Sequence, residues 1–412
     1  MKVDGARIAK RIEEISKFNS TKGEGVTRFS YSKEDEKARD WIGNILDNLN
    51  MDYSVDSVGN LRARYEGKSN SLPPLLIGSH IDSVKNGGKY DGVLGVIGAL
   101  EVLNVMKENN YIPNRPVELI IFSEEEGSNF GTTMVGSKAL TGKLNFESLS
   151  KLENSEGKSA VEVLKDFGLD PKEMKKHVLK PEEIFCMLEL HIEQGIVLEN
   201  QNKQIGIVEA IAGMITLDVT VKGEENHAGS TPMNMRKDAL VIAADLIKEI
   251  ENIAKYKVEK TTVATVGKIS SKPNMANVIP GEVRFTVDIR DINQYDLEKA
   301  ETLIRREAKR IENEKNFEIA IKVLGASDPV GLSPSIVDII TNEVKSLTDS
   351  WMKLHSGAVH DAAMMADITP TGMIFVPSVL GKSHTKEEFT KQEDIKLGVQ
   401  ALLNSVIKLS NE

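Results

Sequence analysis

Seven histidines occur in this 412-residue sequence, and three of them end apolar, strand-like runs or flank glycine turns with carboxylates close by. Gly78-Ser-His-Ile-Asp82 closes one such run, and Tyr90-Asp91-Gly92 follows across a turn containing Gly87 and Gly88. In an extended chain Asp82 points to the same side as His80, where it can accept the other ring N–H and fix the tautomer of a metal-binding imidazole. Asp91 stands just before a helix, where a carboxylate can bridge two cations. Taken singly, His80 also reads as a hydrogen-bonded strand-end histidine and Asp91 as an N-cap. Ser123-Glu-Glu-Glu-Gly127 follows directly on an apolar run at 117–122. Three adjacent carboxylates at the end of a buried strand repel one another unless a cation compensates. One glutamate can then ligate a metal while its neighbour acts as general base. Leu188-Glu-Leu-His-Ile-Glu-Gln-Gly195 and Gly381-Lys-Ser-His384 each follow an apolar strand, and each alone reads as structural. Together the motifs supply three histidines, one shared aspartate, one glutamate ligand and one free glutamate. That inventory suits two divalent ions such as Zn²⁺, Mn²⁺ or Co²⁺ about 3.5–4 Å apart, acting on a bridging water and a carbonyl.

These residues need rigid elements behind them. Helical spacing covers residues 8–18 and 33–51, the second with Ala38, Trp41, Ile42, Ile45 and Leu49 on one face. Strands are expected at 60–65, 75–79 and 117–123, with a helix at 92–109. Such alternation implies an α/β layer. From 211 to 328 the pattern changes. Strands at 215–221, 261–270, 283–289 and 317–323 interleave with helices at 236–254 and 295–314, an order βαββαβ that folds as a small sandwich of its own. The expected domains are therefore 1–211 with 328–412, and an inserted 212–327, with hinges near 212–213 and 326–329. A helix at 391–409 ends the chain. Every candidate of the metal set falls outside the insertion.

Composition limits the remaining possibilities. The length exceeds what one core supports. A net charge of −10 argues against nucleic-acid or anionic-membrane partners. The single Cys186 cannot form an internal disulfide and reads as a buried thiol. With no signal-like apolar segment near the N-terminus and no stretch long enough to span a bilayer, a cytoplasmic setting is expected. Gly92, Gly95 and Gly98 are spaced by three, which reads as a small-residue helix face rather than a dinucleotide fingerprint, and no phosphate-binding loop or nucleophile elbow is present.

The motifs Gly78-Ser-His-Ile-Asp-Ser-Val, Gly87-Gly-Lys-Tyr-Asp-Gly-Val, Ser123-Glu-Glu-Glu-Gly-Ser-Asn-Phe, Leu190-His-Ile-Glu-Gln-Gly, Asn226-His-Ala-Gly-Ser-Thr-Pro-Met, Asn277-Val-Ile-Pro-Gly and Pro377-Ser-Val-Leu-Gly-Lys-Ser-His-Thr resemble the amidase/hydantoinase/carbamoylase branch of the dinuclear-metal peptidase family M20. That branch includes N-carbamoyl-L-amino acid hydrolase, allantoate amidohydrolase and β-ureidopropionase. The resemblance implies a catalytic α/β domain with a mixed central sheet, plus a ferredoxin-like lid that dimerises. It implies two metal ions per subunit, one held by His80, Asp91 and His191 and the other by Asp91, Glu126 and His384. Glu125 becomes the general base and Asp82 the partner of His80. His227 becomes the oxyanion donor, acting from the partner subunit. Asn277 and Arg290 become the binders of a small-molecule substrate's carboxylate and amide, with Gln194, Gly357 and Ala358 in contact with it. In Ser356-Gly-Ala-Val-His-Asp361, Val359 stands where the branch usually has glycine, and His360 and Asp361 are expected to support the ligands. His177 and His355 receive no role. The implied reaction is hydrolysis of an N-carbamoyl-L-amino acid to the amino acid, ammonia and carbon dioxide. The alternatives are allantoate hydrolysis, a dipeptidase or N-acyl-amino-acid hydrolase, and a non-catalytic small-molecule-binding scaffold.

Overall fold

The computed structural model describes every residue, Met1–Glu412. The chain forms two compact units: 1–209 with 332–354 and 360–412, and 210–331 with 355–359.

The larger unit is built on strands with no exposed face. Leu75–His80, Val117–Phe122, Cys186–Ile192 and Thr371–Val376 are buried at every position and run parallel, with Leu75–His80 between the second and third. A strand covered on both sides needs a continuous apolar run rather than alternation. Leu61–Tyr65 and Tyr53–Val55 extend one edge antiparallel, and Ile205–Ile211 extends the other. The fold is therefore α/β on a mixed sheet. Glu118, the one charge in its strand, is answered from the neighbouring strand by Arg62 and Arg64 at 2.5 and 2.9 Å.

Helix Val93–Glu108 is buried from Val93 to Met106. A Cβ on Gly95 would press on the Leu190 carbonyl and on Ser79, so glycine lets this helix lie close against the sheet. Helices Gly5–Ile15 and Gln392–Leu409 pack over it. Its buried Glu101 is paired with Arg7 at 2.7 Å, as a charge removed from water requires.

In the smaller unit the strands lie in the order Glu318–Ser327, Gly213–Lys222, Glu282–Asp291, Val263–Lys272, all antiparallel. Alternation is visible in Glu282–Asp291, where Val283, Phe285, Val287 and Ile289 are buried. Helix Gln294–Lys315 brings Leu297, Ala300, Ile304, Ala308 and Ile311 to the same core, and helix Ala239–Tyr256 completes it. Two very short strands, Asn226–His227 and Val278–Ile279, pair with each other.

Several local details differ from the sequence reading. The second helix stops at Asn48. The residue capping Val93–Glu108 is Gly92, at φ 63°, and not Asp91. Short helices at Val135–Leu140, Phe146–Leu149 and Ala160–Asp166 close over a separate apolar cluster. Cys186 is free and buried. No helix is long and apolar enough to cross a membrane.

Candidate metal centre

Adjacent strands place the first donors. Ile77 lies opposite Leu188 in the parallel ladder, which brings His80 and His191 level, with ring centroids 5.9 Å apart. Asp91 faces both, its Oδ1 lying 3.7 Å from His80 Nε2 and 3.2 Å from His191 Nε2. A Cβ on Gly92 would overlap the His80 ring, so glycine there serves both the left-handed backbone and the imidazole.

The ring tautomers follow from their other contacts. His80 Nδ1 lies 3.1 Å from the Asp82 carbonyl, and His191 Nδ1 lies 2.9 Å from the Ile192 carbonyl. A carbonyl can only accept, so each Nδ1 carries the proton and each Nε2 presents a lone pair. The Gly92 N–H, 3.1 Å from His191 Nε2, agrees. Lone pairs facing the Asp91 carboxylate require a proton or a cation between them. A proton on Nε2 would fill that role, at His191 only by displacing the Gly92 N–H. Burial disfavours the His80 and His191 cations, yet nearby carboxylates raise both above the ordinary value, led by Glu125 and Asp82 for His80 and by Asp91 for His191. Burial works to raise Asp91, but its bonds to His191 and His384 hold it well below the usual carboxylate range.

A second donor group shares Asp91. His384 Nε2 lies 3.3 Å from Asp91 Oδ2 and 3.4 Å from Glu126 Oε2. His384 sits on a loop at φ 57° with its side chain 49% exposed, whereas His80 and His191 are 2% and 1% exposed. Its bond to Asp91 raises it to about 9.

Two glutamates carry the clearest signal. Glu125 Oε1 and Glu126 Oε1 are buried with no hydrogen-bond partner, a costly state that folded proteins rarely leave unanswered. Burial pushes Glu125 well above its ordinary value, and burial followed by the charge of Asp91 raises Glu126 to about 8. Glu125 Oε2 lies 3.7 Å from His80 Nε2. Glu124 turns away, at φ 53°; its Oε1 accepts the N–H groups of Asn129 and Phe130 at 2.7 and 3.0 Å, and its Oε2 is also buried without a partner, though away from the histidines.

Asp82 does something other than expected. Its carboxylate lies 3.6 Å from His80 Nδ1, too far for a hydrogen bond, and instead accepts the N–H groups of Glu125 and Glu126 at 3.3 and 3.1 Å. It positions the glutamates, while its carbonyl orients the histidine. Gln194, expected to meet substrate, donates its Nε2 to Asp91 Oδ2 at 2.8 Å and leaves Oε1 buried and unpartnered.

Glu189, His191 and His360 also have ligand atoms within 4.8 Å of one another. Both Glu189 oxygens are already used, by Ser79 Oγ at 2.6 Å and by the Ala362 N–H at 3.0 Å, so this trio is support rather than a cation cradle. His360 lies edge-on to His191 at 4.7 Å. Asp361, raised to about 8 by burial and then by Glu189, accepts from Ser137 at 2.5 Å.

His227, Asn277, Arg290, Gly357 and Ala358 belong to the smaller unit. His227 is exposed. Its Nδ1 accepts the N–H groups of Gly229 and Ser230 at 3.0 and 3.1 Å, so the ring proton is on Nε2 and available to an acceptor. The Asn277 carbonyl accepts from Ala228 at 3.0 Å. Arg290 donates to Asp288 at 2.8 and 3.3 Å and, from Nη1, to the Gly357 carbonyl at 2.8 Å. Ala358 bonds through its N–H and carbonyl to Ser356 Oγ at 3.1 and 3.0 Å. Glu388, passed over by the sequence reading, accepts the N–H groups of Tyr90 and Asp91 at 2.9 and 3.1 Å.

Imidazoles and carboxylates gathered around one shared aspartate, with orphaned buried oxygens, make a donor set for hard or borderline divalent cations on an α/β framework. The family described as Peptidase family M20/M25/M40 matches residues 76–408, and the chain belongs to it. It is similar to the N-carbamoyl-L-amino-acid amidohydrolase of Pseudomonas sp. (strain NS671), at 38% identity over 98% of this chain and 97% of that protein. It is also similar to the allantoate amidohydrolase of Escherichia coli (strain K12), at 33% identity over 96% of each. The solved structure of an amidase of the hydantoinase/carbamoylase family from Burkholderia multivorans aligns with TM-score 0.92 and 32% identity, covering 100% of this chain and 99% of that one. The chain is thus a hydrolase of a metal-dependent family that acts on carbon–nitrogen bonds.

Proposed function

We propose that the protein hydrolyses the ureido bond of an N-carbamoyl-L-amino acid, releasing the amino acid, ammonia and carbon dioxide. The observation that carries this reading is the pair of donor groups sharing Asp91, beside Glu125 and Glu126 with their unpartnered buried oxygens. His80, Asp91 and His191 would hold one divalent ion, and Asp91, Glu126 and His384 a second, with Zn²⁺, Mn²⁺ or Co²⁺ suited to the donors. A divalent cation, when bound, supplies Lewis-acid polarisation of a carbonyl and acidifies water.

The chain's own residues do the rest. Glu125, poised by burial and reaching toward His80, takes a proton from the attacking water and returns it to the leaving amine. His227 donates from Nε2 to the oxyanion that develops on the carbonyl carbon's oxygen. Arg290, its fork oriented by Asp288 and Gly357, receives the substrate carboxylate, with Asn277, Gly357 and Ala358 lining that end and Gln194 lying at Asp91. The smaller unit is read as a ferredoxin-like lid and dimerisation domain covering 212–327, and the enzyme as a cytoplasmic homodimer. The strand order and antiparallel pairing of the smaller unit support the first part, and with Cys186 the single cysteine no internal disulfide demands an oxidising compartment. Light scattering of the eluted protein would give a dimer mass, and a monomer would remove that part.

The similarity to an allantoate amidohydrolase favours allantoate as the second candidate substrate. Purified protein supplied with Mn²⁺, Co²⁺ or Zn²⁺ and assayed for ammonia from N-carbamoyl amino acids and from allantoate separates the two. Activity only toward dipeptides or N-acyl amino acids in a parallel panel would replace both.

A further inference from the structure

The loop that carries His384 is tied to Asp91 by a residue with no part in the roles above. Glu388 is 4% exposed, and its Oε1 accepts the N–H groups of Tyr90 and Asp91 at 2.9 and 3.1 Å. Those groups lie just before helix Val93–Glu108, whose cap, Gly92, offers no side-chain acceptor. Glu388 thus holds from 297 residues away the two residues that lead into this helix, whose own first N–H groups bond to the Asp91 and Tyr90 carbonyls. Its Oε2 lies 3.0 Å from Ser383 Oγ, and the same hydroxyl lies 2.9 Å from Asp91 Oδ2. Ser383 immediately precedes His384 in the chain. The space for Glu388 exists because residue 88 has no side chain: a Cβ on Gly88 would overlap the Glu388 carboxylate. Tyr90 and Phe389 close the flank edge-to-face at 6.1 Å.

We propose that Glu388 is a positioning residue that holds the backbone of Asp91 and the Ser383–His384 loop in one register, and thereby sets the affinity of the Asp91–Glu126–His384 group for its cation. Ser383 and Gln194 fix Asp91 Oδ2 while Glu388 fixes its main chain. Asp91 Oδ1 then meets His80 and His191 as Oδ2 meets His384. The His80–Asp91–His191 group draws its two histidines from the sheet ladder, so it depends on Glu388 less. The proposal rests on the two-ion reading of the site.

The test is a Mn²⁺ titration of the metal-free full-length protein by equilibrium dialysis with metal analysis, beside thermal melts of the metal-free forms. The unmodified protein is expected to take up two Mn²⁺ per chain; fewer than two would end the two-ion reading itself, before any variant is considered. Glu388→Ala and Gly88→Ala are expected to weaken one ion on the order of 10–100-fold, as losing a group that orients a ligand does, and the other much less. Their turnover should recover as Mn²⁺ is raised, a rescue that general loss of structure does not give. Glu388→Gln, whose amide oxygen still accepts the two N–H groups, should fall between. Both ions held at the original affinity in Glu388→Ala and Gly88→Ala would overturn the proposal. If those variants do not fold, Ser383→Ala decides: selective weakening of one ion supports the linkage, and unchanged binding of both ions refutes it.

Discussion

In the larger unit Glu125 and Glu126 each keep a buried oxygen with no partner. In the smaller unit Arg290 is engaged by Asp288 and Gly357, and His227 stands open to solvent. The contrast separates two kinds of functional residue. Burial of unpaired acceptors has an energetic cost that a bound cation would offset. Polar groups that water or a neighbouring side chain can satisfy carry no such cost, and their roles rest on tautomer, orientation and likeness. Changes in the first region should alter metal content, stability or proton transfer; changes in the second should alter rate or substrate affinity with the metals in place.

The largest expected effect is at Glu125, where the two kinds of role meet in one side chain. Glu125→Gln should lower kcat on the order of 10²–10⁴-fold with Mn²⁺ stoichiometry unchanged by metal analysis; a lost ion would make Glu125 a ligand instead. Next, His227→Ala should slow turnover on the order of 10²–10³-fold with unchanged metal binding, checked by steady-state kinetics on the dialysed and reloaded enzyme. A His227→Ala protein that lost metal would erase the contrast between the regions. Arg290→Ala should act mainly on KM, raising it about tenfold for a charged-group contact while kcat changes much less. A kcat loss matching the change in kcat/KM would show that the fork acts in the transition state.

The smallest effect is on stability, and its sign is fixed by the buried acids. Glu126 and Asp361 are raised to about 8 from ordinary values of 4.5 and 3.8. A carboxyl whose folded pKa lies above its unfolded one contributes stability fully present below the unfolded value and lost as pH rises through the folded one. His384, at about 9 against 6.5, acts in the same direction at higher pH. Asp91 is shifted downward, so its contribution is lost only in acid, outside this window. His360, held well below its ordinary 6.5 by burial, opposes this only below about pH 6.5, so the metal-free protein should lose melting temperature from about pH 6.5 to 9. The metal-loaded protein should lose less, since the cation replaces the protons and binds better as they leave. Calorimetry at pH 6.5 and pH 8.5 checks it: a gap between loaded and metal-free forms that does not widen would contradict the assignment.

The sequence reading singled out His80, Asp91, Glu125, Glu126, His191 and His384 because each follows a distinctive local signal, mostly a buried strand or a glycine turn. Helical spacing of apolar residues placed the helices of the smaller unit within three residues at either end: 236–254 against Ala239–Tyr256, and 295–314 against Gln294–Lys315. Contacts over long separations were hidden. Glu388 sits in Thr-Lys-Glu-Glu-Phe389, a run that reads as solvated surface, and only the glycine at 88 hints that something must fit beside it. Asp82 was paired with the ring next to it in sequence, whereas its carboxylate serves backbone groups more than forty residues on. Helix Ala160–Asp166 had a readable start, a capping box of Ser159 and Glu162, which was passed over. Strands of two residues, as at Asn226–His227, are too short to show any period.

His80 and His191 inherit their separation from the pairing of two parallel strands and not from a shared ion. The sheet sets that spacing when it forms, so two of the three donors at this position are in place before any ion arrives, and Asp91 on its turn is the one donor that loop packing must supply. The two histidines should therefore keep their separation in the metal-free protein.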